Sequence, residues 1–202
     1  MQKLRGTTEF GALLVPPGFR DWALHALGQA EGLDVGFNPD EPWENMTEVE
    51  QQAWQLRRNH IHRESTSAIL FSALAVEAFL NTYGVIRMGE AYYQEHVERL
   101  SPKTKVSVIT LAVAERLLEP SDEVLRAVDV VFKARNKVAH PKTEQADLYD
   151  SHALLAKEAS AKRVVTRARE SVQAMDRFFE EFSTIVPDSR FWMRSFADNG
   201  RV

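Results

Sequence analysis

Between residues 161 and 186 the side chains Ala161, Val165, Ala168, Val172, Met175, Phe179, Phe182 and Val186 recur at alternating spacings of four and three. A helical turn of about 3.6 residues places all eight on one stripe, and the two-residue period of a strand fits none of the spacings of three. The pattern predicts a long helix over 147–186, ended by Pro187. Its apolar seam must be covered by other helices, either of the same domain or of a second copy. The chain around it is equally poor in helix breakers. Nine glycines and eight prolines among 202 residues gather toward the N-terminus and between periodic segments. No internal repeat, low-complexity tract or strand-rich region accompanies them.

Further helix signals precede the long seam. Thr47-Glu48-Val49-Glu50 is a capping box, in which threonine caps the N3 amide and glutamate reaches back. The helix it starts runs to about Gly84, either unbroken or bent near Ser65-Thr66-Ser67. Its second half, Ala68 to Leu80, is apolar almost all round and reads as the central buried helix. Glu77 interrupts it and requires a hydrogen-bonding or cationic partner, with Ser72 and Asn81 as the other polar exceptions. After an amphipathic piece from Glu90 to Leu100, Ser101-Pro102 gives an N-cap and a first-turn proline for a helix with the stripe Val106, Ile109, Val113 and Leu117. Pro120-Ser121 resets the chain for a helix from about Asp122, which carries Val124, Val128, Val131 and Phe132 and must end before Pro141.

The expected fold is all-α, an antiparallel bundle of four to five main helices over 47–186. Residues 1–46 form an extension with one short helix around Asp21 to Ala30, and 187–202 form a tail. The aromatic residues Phe19, Trp22, Phe37 and Trp43 argue that the extension lies on the bundle. Phe191, Trp192, Met193 and Phe196 equip the tail to dock back or to meet a partner. With 44% hydrophobic and 27% charged residues, one globular domain has enough apolar material for a core.

Several function classes lose their support. The absence of cysteine removes disulfides, thiolate nucleophiles and cysteine-based metal sites, and is compatible with a cytoplasmic setting. No uninterrupted apolar run reaches the roughly 18 to 20 residues of a membrane span, so no membrane association is expected. The formal net charge is −4, but the first fifty residues hold three basic against nine acidic groups, which leaves the remainder near neutral. Nucleic-acid contact would therefore be local rather than a general coating. No phosphate-binding glycine loop, GxSxG or dinucleotide fingerprint occurs. His60 and His62 point in different directions on a helix, His60 with Glu64 forms the one i,i+4 pair nearby, and no HExxH is present. No metal site and no cofactor is expected, and His25, His96 and His152 read as structural or surface residues.

The run Lys133-Ala134-Arg135-Asn136-Lys137-Val138-Ala139-His140-Pro141-Lys142 differs from the rest of the chain by concentrating cations, an amide and an imidazole within about two turns. An arginine offers a planar fork to phosphoryl oxygens, and an imidazole moves protons near neutral pH. Asn136 and His140 share a helix face, whereas Arg135 and His140 diverge by roughly 140° on an ideal helix. Either the last turn unwinds before Pro141, or a second copy supplies the missing group across a twofold axis. A purely structural alternative stands beside this: Arg135 pairs with a buried acid such as Glu77, and His140 caps carbonyls at the helix end.

Taken together, Arg135 to Lys142 and the upstream segment Ser67 to Asn81, with its apolar helix bearing Glu77 and Asn81, resemble the HEPN superfamily. That family has helical bundles and a signature of arginine, four to six residues, then histidine, often with a polar residue after the arginine. Arg135, Asn136 and His140 fit it, and the resemblance covers about residues 47–185. It implies a metal-independent endoribonuclease, of the kind found as toxins or in antiviral defence, whose two motifs meet at the cleft of a homodimer. His140 is then the general acid or base for 2′-hydroxyl attack that yields a 2′,3′-cyclic phosphate, and Arg135 stabilises the transition state. Asn136 orients, Lys133, Lys137 and Lys142 hold the RNA backbone, and Glu77 and Asn81 support the site. An antitoxin or regulatory protein is an implied partner. Other family members are non-catalytic modules that bind nucleotides or proteins, and this is the alternative function.

Overall fold

The computed structural model describes residues 18–140 and 151–190, with only the backbone described for Trp43 and for 151–163. Six α-helices follow one another among the described residues, α1 (Phe19–Asp34), α2 (Glu48–Met88), α3 (Glu90–His96), α4 (Pro102–Ala114), α5 (Glu123–Ala139) and α6 (Ser151–Ile185), and no strand occurs there. The protein is an all-α helical bundle.

Local chemistry starts and stops these helices where the sequence marks them. The Thr47 side chain accepts from the Glu50 amide while the Glu50 carboxylate accepts from the Thr47 amide, so both halves of the capping box form. Ser101 caps α4 by accepting from the Thr104 amide at 3.2 Å, with Pro102 in the first turn. Helix α2 continues through Ser65-Thr66-Ser67 without a break and ends at Gly89, whose φ of 86° only glycine adopts without strain. The Ser72 hydroxyl donates to the Ala68 carbonyl at 2.8 Å, which satisfies it within the helix.

The core forms where α2, α5 and α6 meet. From α2 it takes Ala68, Ile69, Val76, Phe79 and Leu80, and from α5 Val124, Val128 and Val131. Along α6, Val165, Ala168, Val172, Met175, Phe182 and Val186 are buried and Phe179 is partly so, which places the long seam inside the chain rather than on an outer face. The side chain of Ala161, at the head of that stripe, lies outside the described residues. An aromatic cluster closes one end: Phe79 meets Phe178, Phe179 and Phe182 edge-on at 5.4–6.0 Å. Burial of each such ring contributes on the order of 2 kcal/mol or more.

The helices mix directions. Ile61 lies with Val164 and Val165, Phe79 with Phe182, and Tyr83 donates to Asp188 at 2.8 Å, so the two long helices α2 and α6 run the same way. Helix α1 runs against both, with Arg20 on Asp176, Glu31 on Arg169, and Arg57 donating to the carbonyls of Leu33 and Val35. Ala23, Ala26 and Leu27 of α1 belong to the common core, so the segment read as an extension contributes a helix to the bundle. One 18-residue stretch of α2 is long and apolar enough by composition to cross a membrane, and half of it is buried inside the fold. The sequence expectation about apolar runs therefore holds only for uninterrupted ones.

Candidate functional site

Helix α5 carries the motif because two periodicities share it. Val124, Val128, Val131 and Ala134 turn inward, and the chain's cations fall on what is left. Lys133, Asn136, Lys137 and His140, at i, i+3, i+4 and i+7, form one exposed stripe along its outer face. Arg135 stands at the border between this stripe and the core and is half-buried.

Three neighbours fix the Arg135 guanidinium. Its Nη1 donates to Asn136 Oδ1 at 3.0 Å, its Nη2 lies 3.9 Å from Glu77 Oε2 on α2, and its plane sits over the Phe132 ring with Cζ 5.5 Å from the centroid. The predicted pairing with Glu77 is thus present but loose, since 3.9 Å exceeds a charge-assisted hydrogen bond of roughly 2.7–2.9 Å. Both side chains keep about a third of their surface in solvent, 33% for Arg135 and 35% for Glu77, so the pair contributes no more than about 1 kcal/mol to stability.

His140 is the C-cap of α5. Its amide still donates to the Asn136 carbonyl at 3.0 Å, and its φ of −128° and ψ of 69° leave the helix only after that bond. The turn between Arg135 and His140 is therefore helical, and the first of the two geometric options, unwinding of that turn, is not adopted. The imidazole is exposed, and among the described residues it caps no carbonyl. Arg135 meets the structural alternative in part; His140 does not.

Of the lysines assigned to the RNA backbone, Lys137 is exposed, and Lys133 is exposed with Asp129 at 3.7 Å one turn earlier. Asp129 also holds Lys103 at 3.1 Å, so one carboxylate serves two cations and leaves the stripe basic. Lys142 and Pro141 lie outside the described residues. His60 and His62 take no part in any metal-competent cluster, and none is found among the described residues.

The supporting residues Glu77 and Asn81 share one face of α2, one turn apart. Asn81 joins two side chains that the sequence reading did not single out. Its Oδ1 accepts from Tyr93 of α3 and from Lys105 Nζ of α4, each at 2.7 Å. Both donors are buried, at 1% and 2% exposure. Burial pushes the Tyr93 phenol up, and the Glu98 and Glu77 carboxylates add to the shift. Burial draws Lys105 down, against the opposing pull of Glu77 and Glu98. A Cβ on Gly84 would overlap the Tyr93 ring, so a glycine there is what lets α3 lie against α2. The signal for Lys105 was on the α4 stripe: it stands four residues before Ile109, on a face that is otherwise apolar.

The chain matches no family model, no curated protein and no solved structure. The HEPN resemblance rests on its two motifs, which the fold brings together at the Arg135–Glu77 contact.

Proposed function

We propose that this chain is a metal-independent endoribonuclease of HEPN type that acts as a homodimer. The observation that carries the reading is the division of α5 into a buried face and an exposed stripe of Lys133, Asn136, Lys137 and His140, with a preset guanidinium at its border. A stripe of this kind tracks a phosphate backbone, and an exposed imidazole at its end can exchange protons with substrate. Because the turn between them stays helical, Arg135 and His140 of one chain diverge. Two copies related by a twofold axis let the arginine of one meet the histidine of the other.

The reaction follows from these groups. His140 removes the proton of a ribose 2′-hydroxyl, whose oxygen bonds to the adjacent phosphorus, and the bond from phosphorus to the 5′-oxygen breaks. The second copy's imidazole, in its protonated form, returns a proton to that 5′-oxygen. The products are a 2′,3′-cyclic phosphate and a 5′-hydroxyl. Arg135 donates its fork to the phosphoryl oxygens as negative charge accumulates on them, and Asn136 holds the unoccupied side of that fork.

The test is RNA cleavage in the presence of a chelator by the wild-type chain and by His140→Ala, with circular dichroism to show that the variant is folded. Loss of one proton-transfer group should lower the rate by roughly 10²–10⁴-fold. Equal rates would remove His140 from the chemistry. A wild-type chain that binds RNA without cleaving it would establish the non-catalytic alternative instead.

A further inference from the structure

Lys105 is the most deeply buried charged side chain among the described residues, and the site proposed above gives it no task. An ammonium carries three donors, and among the described residues one neutral acceptor, Asn81 Oδ1, takes one of them. That oxygen also accepts from Tyr93, so its two lone pairs are used. A cation withdrawn from water with so little hydrogen bonding is sustained by nearby negative charge. The carboxylates that draw on it are Glu77 on α2 and Glu98 after α3. Glu77 is the acid that also faces Arg135 from the other side, at 3.9 Å. One carboxylate thus stands between two cations on different helices, Lys105 on α4 and Arg135 on α5.

A lone glutamate beside an arginine closes into a fork-to-carboxylate pair, which occupies the donors that a phosphate would need. Here the pair is open. We propose that Lys105 is a positioning residue: from α4 it draws the Glu77 carboxylate inward and keeps it from closing on Arg135, which leaves a guanidinium edge free to donate to a phosphate. Asn81 and Tyr93 hold the Lys105 ammonium at that place, and Gly84 admits the Tyr93 ring. This role rests on Arg135 being the phosphate-binding group of the proposed nuclease.

The test uses the full chain and a 2′-O-methylated oligoribonucleotide, which cannot be cleaved, together with the ¹⁵N signals of the Arg135 guanidinium. In Lys105→Met, affinity for the oligonucleotide falls by about tenfold, the middle of the range for residues coupled in one network. The Arg135 Nη signals sharpen as rotation about the guanidinium slows against a closed Glu77. In the double variant Lys105→Met/Glu77→Gln, with no carboxylate left to close, affinity returns to within about threefold of wild type. A merely structural lysine would show no such rescue. Wild-type affinity in Lys105→Met, or a double variant as weak as the single one, overturns the proposal. Where Lys105→Met does not fold, Glu77→Gln decides: the proposal requires it to bind at least as well as wild type, and a loss above about tenfold refutes it. A wild-type chain that neither binds nor cleaves RNA ends the nuclease reading, whereas the Arg135 signals in Lys105→Met still report, without RNA, whether Lys105 restrains Glu77.

Discussion

Arg135 acts through its shape as much as its charge. It touches Glu77, Asn136 and the Phe132 ring at once, and a lysine cannot reproduce a planar fork that stacks on a ring while donating on two edges. Arg135→Lys should therefore keep the fold and lose about 10²-fold in cleavage rate, the usual scale for one transition-state donor. A rate within a few-fold of wild type would show that only the charge matters. Lys105 gives a second prediction at this scale, on stability against pH. Its folded value is drawn below the ordinary lysine range by burial, so between the two values the unfolded chain binds the extra proton. Stability rises with pH across that interval, and thermal melts of the wild type should show the rise while Lys105→Met should not. At higher pH still, the raised phenols of Tyr83 and Tyr93 reverse the slope, since the folded chain then holds the extra protons.

At the scale of elements, the features legible in the sequence are those that a few neighbouring residues determine. The Thr47–Glu50 box, the Ser101 cap and the seam of α6 were each readable because capping and periodicity are local. Ser101→Ala should accordingly cost about 1 kcal/mol in a denaturation experiment. What depends on contact between distant segments was not readable. Tyr93 and Lys105 become site residues only because α3 and α4 fold back on α2, and nothing within either helix announces an acceptor at Asn81. Gly84 gave no signal for the same reason. Gly84→Ala should destabilise by about 1–3 kcal/mol, the usual cost of overpacking, instead of the stabilisation expected for glycine to alanine in a helix. It should also lower activity, because Tyr93 would be pushed off Asn81. A variant as stable and active as wild type would show that α3 moves away without consequence.

At the scale of the molecule, the all-α class was readable from composition and period, but the relative direction of α2 and α6 was not. Those two helices lie 62 residues apart in sequence between Met88 and Ser151, and no local pattern specifies how that connection returns the chain. The consequence for function is larger. A helical turn between Arg135 and His140 holds the two groups on different faces of α5, so a working centre draws one from each of two copies. Mixing separately inactive Arg135→Ala and His140→Ala chains measures this directly. In a mixed dimer one of the two centres has both an intact arginine and an intact histidine, and random exchange of subunits gives mixed dimers in about half of the population. The mixture should regain roughly a quarter of wild-type RNA cleavage in the presence of chelator. A mixture as inactive as its two components would contradict the composite centre.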